Sequence, residues 1–139
     1  MNQTTILFPM MALVGWTFAV LLLIPYKRFR AAFDKQVAVD DFKLGESENV
    51  PPGVRLPNRN LMNLFEMPVL FYLACLTLYV TQSADSAMLS LAWAYVALRI
   101  AHSAVHLTYN NVFHRLALFA ISNIALLIVW VRIATALSK

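Results

Sequence analysis

Two runs of polar residues have the types and spacing to do chemistry together. Arg59, Asn63 and Glu66 follow at i, i+4 and i+7; Arg99, His102, His106 and Asn110 follow at i, i+3, i+7 and i+11. At about 100° per residue each set falls on a single helix face, with Ser103 beside the second and Arg115 shortly after it. Guanidinium, imidazole, amide and carboxylate groups brought together in this way suit the binding of a small polar anion.

The elements that must carry these groups are membrane-spanning helices. Hydrophobic residues make up 60% of the 139 residues and charged residues only 13%, against about 45–50% and about 25% in soluble proteins. Mean hydropathy is +0.65. So short a chain has too little interior to hide that much apolar surface from water. The composition excludes a disordered chain, a disulfide scaffold (Cys75 is the sole cysteine) and nucleic-acid binding as the main task, despite a net charge of +4.

A bilayer crossing needs about 20 mostly apolar residues. Four segments qualify, at 5–27, 59–82, 87–109 and 115–137, with one long polar loop over 31–58. The fold class is therefore all-α: an integral membrane four-helix bundle forming one domain over residues 1–139. The first segment reads as a retained anchor, because its basic cluster, Lys27-Arg28-Phe29-Arg30, follows the apolar core where a signal peptide would have it first. Pro68 predicts a kink in the second span. Lys27, Arg28, Arg30, Lys35, Lys43, Arg55 and Arg59 all lie between the first two spans. The bias of basic residues to the cytoplasmic side therefore places that loop in the cytosol and both termini on the other side.

Ionisable groups inside a span are costly unless paired or hydrated, and they mark function by default. Glu66 lies about 10 Å past Arg59, and Arg99 about 16 Å before Asn110, at 1.5 Å rise per residue. Because the two spans run antiparallel, the expectation is a structural, buried Glu66–Arg99 ion pair. That leaves Arg59, Asn63, His102, His106 and Arg115 around a cytosol-facing pocket. A metal site is not expected, since His102 and His106 lack further ligands. Trp16, Trp93 and Trp130 read as packing or interfacial residues, and Asp34, Asp40, Asp41, Glu46 and Glu48 as the solvated face of the loop.

The run Arg59-Asn60-Leu61-Met62-Asn63-Leu64-Phe65-Glu66-Met67-Pro68, with Phe71 beyond it, resembles the second-helix signature of the MAPEG family, the membrane-associated proteins in eicosanoid and glutathione metabolism. Arg99-x-x-His102-Ser103-x-x-His106, with Arg115 beyond, is similar to the prostaglandin-E-synthase branch. The resemblance spans all four helices and is to a bacterial-type member, which implies a multi-pass protein of a bacterial inner membrane. It further implies a homotrimer with glutathione as co-substrate at each subunit interface, acting on a hydrophobic small molecule that arrives through the membrane lipids.

By the same resemblance, Arg59, Asn63, Glu66, His102 and His106 hold glutathione together with Arg28 or Arg30 at the end of the first helix. Arg115 is the catalytic group that stabilises the thiolate. The implied function is a glutathione-dependent transferase or peroxidase acting on hydrophobic electrophiles or lipid hydroperoxides. The sequence departs from the branch pattern in having His106 at a tyrosine position and Leu116 and Phe119 at serine and tyrosine positions, and Pro68 follows Glu66 more closely than in animal members. These departures weigh against the eicosanoid activities. They also keep open a non-catalytic, lipid-binding or scaffold member of the family. A proton-coupled exporter using Glu66 is a third reading, disfavoured by the long basic loop.

Overall fold

The computed structural model describes residues 2–138. Short 3-10 turns occur at Gln3–Ile6 and Val39–Phe42, and five α-helices follow in order: α1 (Leu7–Phe33), α2 (Pro52–Phe65), α3 (Met67–Val80), α4 (Ser86–Leu107) and α5 (Val112–Leu137). Four stretches are long and apolar enough to cross a membrane: Gln3–Phe33, Pro52–Val80, Ser86–Leu107 and Val112–Leu137. No strand occurs among the described residues. Helix reaches further into the polar loop than the apolar runs do, leaving 34–51, with its one 3-10 turn, as the connection between α1 and α2.

The second span is two helices. Pro68 has no N–H for the carbonyl of Leu64, and its ring collides with that carbonyl. The helix accordingly breaks at Glu66, whose ψ is −99°. α3 then restarts with proline in its first turn, where the missing N–H costs nothing. The break places a carboxylate and unladdered carbonyls partway along a membrane-spanning segment. Irregular backbone at that position is tolerated only against protein or a hydrated cavity.

Lipid tails are as apolar as leucine, so packing and buried polar contacts must hold such helices together. Small side chains at Ala74, Ala92, Ala125 and Ser122 are buried between helices, and Phe71 of α3 stacks on Tyr95 of α4 with ring centroids 4.5 Å apart. Ser103 of α4, fully buried, accepts from Trp16 Nε1 of α1 at 2.9 Å and from Asn60 Nδ2 of α2 at 2.5 Å. This three-helix junction sets the depth of α2 against α4, and with it the alignment of the two polar faces.

The connection 34–51 is ordered by its own acids. Asp41 accepts from the Ala38 N–H at 2.8 Å and from Ser47 Oγ at 2.7 Å, and these bonds hold its carboxyl below the ordinary value of 3.8. Glu46 pairs with Arg28 at 3.0 Å. Asp41 and Glu46 are thus loop organisers rather than merely a solvated face.

Candidate functional site

The α2 and α4 stripes converge, together with the start of α5, on one open cleft in two connected halves. The more polar half, about 290 Å³, is lined by Leu56, Arg59, Met62, Asn63, Glu66, His106, Asn110 and Arg115. The more apolar half, about 300 Å³, is lined by Asn63, Glu66, His102, Val112, Arg115, Leu116 and Phe119. Asn63, Glu66 and Arg115 belong to both, so they form the divide.

Each wall has a local cause. Asn110 takes the left-handed conformation, φ +50°, which asparagine tolerates better than most residues, and its N–H closes the end of α4 on the Val105 carbonyl at 2.8 Å. Asn111 then caps α5, its side chain accepting from the His114 N–H at 3.1 Å. Arg115 stands on the first turn of α5, where the helix dipole favours an anion. Its Nη1 donates to Asn110 Oδ1 at 2.9 Å, and its carbonyl lies 3.0 Å from His102 Nδ1. A carbonyl only accepts, so the His102 proton sits on Nδ1, leaving Nε2 a buried acceptor with no protein partner.

Asn63 Nδ2 lies 3.4 Å from His106 Nδ1, joining the two stripes. Arg59 and Glu66 are exposed to the cleft and neither side chain makes a hydrogen bond or ion pair among the described residues, where the ion pairs are Arg28–Glu46 and Arg132–Asp85. No cluster of three or more His, Cys, Asp or Glu side chains able to hold a metal occurs among the described residues.

The expected Glu66–Arg99 ion pair is not formed. The break at Glu66 takes the Asn63 carbonyl out of the helix ladder, and Arg99 Nη2 donates to it at 2.8 Å. Arg99 is only 1% exposed and lies over the rings of Phe119 at 5.6 Å and Tyr95 at 5.9 Å. The same bend turns Glu66 outward into the cleft. A carboxylate that the sequence spends on packing is therefore free for a ligand.

The remaining expected site residues divide cleanly. Arg59, Asn63, Glu66, His102, His106 and Arg115 line the cleft. Arg28 and Arg30 do not reach it: Arg28 pairs with Glu46 and covers the Phe42 ring at 4.6 Å, while Arg30 Nη1 donates to Tyr26 at 3.4 Å. A larger groove of about 390 Å³ lies beside Arg28, but its lining is otherwise apolar, from Ile24 to Phe42, and offers little chemistry. Two contacts around the cleft are not announced by the sequence. Asn110 was visible as a turn former on the α4 stripe but not as the partner of Arg115. Asn60 lies 100° round the helix from Arg59 and 60° from Asn63, and nothing in its spacing signals its bond to Ser103.

The model of the MAPEG family matches residues 6–135. The chain belongs to the MAPEG family. Members of this family are glutathione transferases and peroxidases or lipid-metabolising enzymes. No curated protein and no solved structure matches the chain. As a MAPEG protein with four apolar spans it is a multi-pass integral membrane protein in contact with lipid.

Proposed function

We propose that this MAPEG protein is a glutathione-dependent transferase or peroxidase acting on hydrophobic electrophiles or lipid hydroperoxides, with Arg115 stabilising the thiolate. The observation that carries the reading is that Arg59 and Glu66 are unpartnered and Arg115 is held by a neutral amide, all around one cleft. Glutathione bears two carboxylates and an ammonium, so it needs cations and an acid close together. Arg59 and Arg115 take carboxylate and thiolate, Glu66 takes the ammonium, and Asn63, His102 and His106 supply hydrogen bonds.

A thiol with a pKa of about 8.5 is mostly protonated at neutral pH, and a nearby guanidinium favours the thiolate, which is the nucleophile. The thiol proton leaves to water at the open mouth. In the transferase reaction the sulfur lone pair forms a bond to the electrophilic carbon as the leaving group departs with its electron pair. In the peroxidase reaction the thiolate attacks a hydroperoxide oxygen. The lipid alcohol departs, and a second glutathione converts the sulfenic acid to a disulfide with release of water. The apolar half of the cleft, with Val112, Leu116 and Phe119 at its rim, gives the hydrophobic reactant a route from the bilayer.

The assembly in this reading is a homotrimer in a bacterial inner membrane with the 34–51 connection in the cytosol and both termini opposite. Arg28 and Arg30 would then reach glutathione from an adjacent protomer, since they do not reach the cleft of their own. The alternative is a non-catalytic lipid-binding or scaffold member, favoured by the apolar side chains of Leu116 and Phe119 beside Arg115. Calorimetric titration of the purified protein with glutathione, followed by conjugation of a generic electrophile, separates the two. Heat and turnover support the enzyme; co-purifying lipid with neither supports the alternative.

A further inference from the structure

We propose that Asn110 is a positioning residue that aims the Arg115 guanidinium into the cleft while leaving its charge intact. The inference rests on the glutathione reading above. Two consecutive asparagines in the α4–α5 turn divide the labour. Asn111 caps the helix through the His114 N–H. The Asn110 side chain makes no capping bond: its Oδ1 accepts from Arg115 Nη1 at 2.9 Å and it lines the polar half of the cleft, on a residue whose φ is +50°.

The choice of an amide has an electrostatic consequence. A carboxylate at this position would hold the guanidinium by a stronger, charge-assisted bond and would also offset the charge that an anionic ligand needs. A neutral carbonyl oxygen orients the fork at no cost in charge. Arg115 Nε is buried without a protein partner, so the Nη1 contact is the side-chain bond that fixes the fork. The other charged or titratable groups facing this cleft are Arg59 from α2, Glu66 at the α2–α3 break, and His102 and His106 from α4. None of them hydrogen-bonds the guanidinium.

The test uses the full-length protein in detergent or nanodiscs, saturated with glutathione, and follows the ultraviolet band of the bound thiolate against pH. Asn110→Gly keeps the left-handed backbone and releases the guanidinium; Asn110→Asp keeps the contact and offsets the charge. Both should raise the midpoint of thiol ionisation, Asn110→Asp by about one pH unit or more and Asn110→Gly by less. Asn111→Ser, which preserves the cap, should leave the midpoint where it is, and thermal melts establish that each variant is folded.

Wild-type midpoints in both Asn110 variants, with glutathione still bound, would overturn the proposal and leave the glutathione reading standing. So would a shift in Asn110→Asp alone, because a nearby carboxylate raises a thiol pKa whether or not Asn110 positions anything. If the wild-type protein binds no glutathione, or binds it with an unlowered thiol midpoint, the glutathione reading itself fails and this inference fails with it.

Discussion

At the end of the bundle formed by Gln3, the turn before α4 and the last turns of α5, polar side chains are consumed by one another. Gln3 clamps the Ala84 backbone in both directions, donating to its carbonyl at 3.1 Å and accepting from its N–H at 2.9 Å. Asp85 caps α4 through the Met88 N–H at 2.8 Å and pairs with Arg132 at 2.5 Å. At the opposite end, where the α4–α5 turn meets α2, the Arg59 and Glu66 side chains have no hydrogen-bond or ion-pair partner among the described residues, and His102 and Arg115 keep buried nitrogens unpaired there. One end spends its polar groups on one another and the other leaves them open. The lesson is that the charge a membrane protein carries says little until one knows which charges already have partners.

The sharpest way to break this contrast is to remove, in turn, the two arginines of the cleft end. Arg115→Ala should lower turnover on the order of a hundredfold or more, as loss of a transition-state charge partner does, with a smaller effect on glutathione affinity. Arg59→Ala should chiefly weaken binding, by about tenfold, as expected for a charge-assisted contact. Steady-state kinetics with calorimetry separate the two effects, and equal losses from both variants would erase the assigned roles.

Pro68→Ala sharpens the contrast by acting on the helix break at the open end. With an N–H restored at position 68, Leu64 and Asn63 can return to the helix ladder, Arg99 loses its acceptor and Glu66 swings back towards it. Glutathione affinity should fall by about tenfold, read by calorimetry, while the fold survives in circular dichroism. Undiminished affinity would mean that the broken helix does not deliver Glu66.

The spans, the loop and most cleft residues are legible in the sequence because they rest on residue type and period: long apolar runs for the helices, i, i+4, i+7 spacing for Arg59, Asn63 and Glu66. What is not legible depends on backbone atoms or on direction. Pro68 signals a kink, but nothing in its identity tells which way Glu66 will turn. Arg99 finds its partner in a carbonyl, a group every residue carries, so no side-chain pattern announces it and the carboxylate on the neighbouring stripe looks like the natural mate. Asn110 reads as a turn because asparagine tolerates positive φ, and its contact with Arg115 emerges only once the turn has folded. Arg28 and Arg30 cluster with the other basic residues in sequence, yet α1 presents them to Glu46 and Tyr26.

At the closed end the expected effects are small. Arg132→Ala removes a partly exposed ion pair and should cost about 0–1 kcal/mol of stability, seen as a modest drop in melting temperature with turnover unchanged. A collapse of activity would show that the two ends are coupled.

Smaller still is the acid response of the 34–51 connection. The folded pKa of Asp41 lies below its ordinary 3.8, so the order it confers is fully present above that value and is lost as pH falls through the folded value. Hydrogen exchange across 38–47 should accelerate only under strongly acidic conditions, and Asp41→Asn should reproduce that acceleration at neutral pH. Exchange insensitive to both would show that Asp41 does not order the loop.

The most direct measurement is a density map of the membrane-embedded protein with glutathione bound. The tripeptide should lie in the cleft between α2 and the α4–α5 turn, with its ammonium at Glu66, a carboxylate at Arg59 and its sulfur facing Arg115. Glutathione seated elsewhere, or a saturating concentration that leaves this cleft empty of it, would contradict the account.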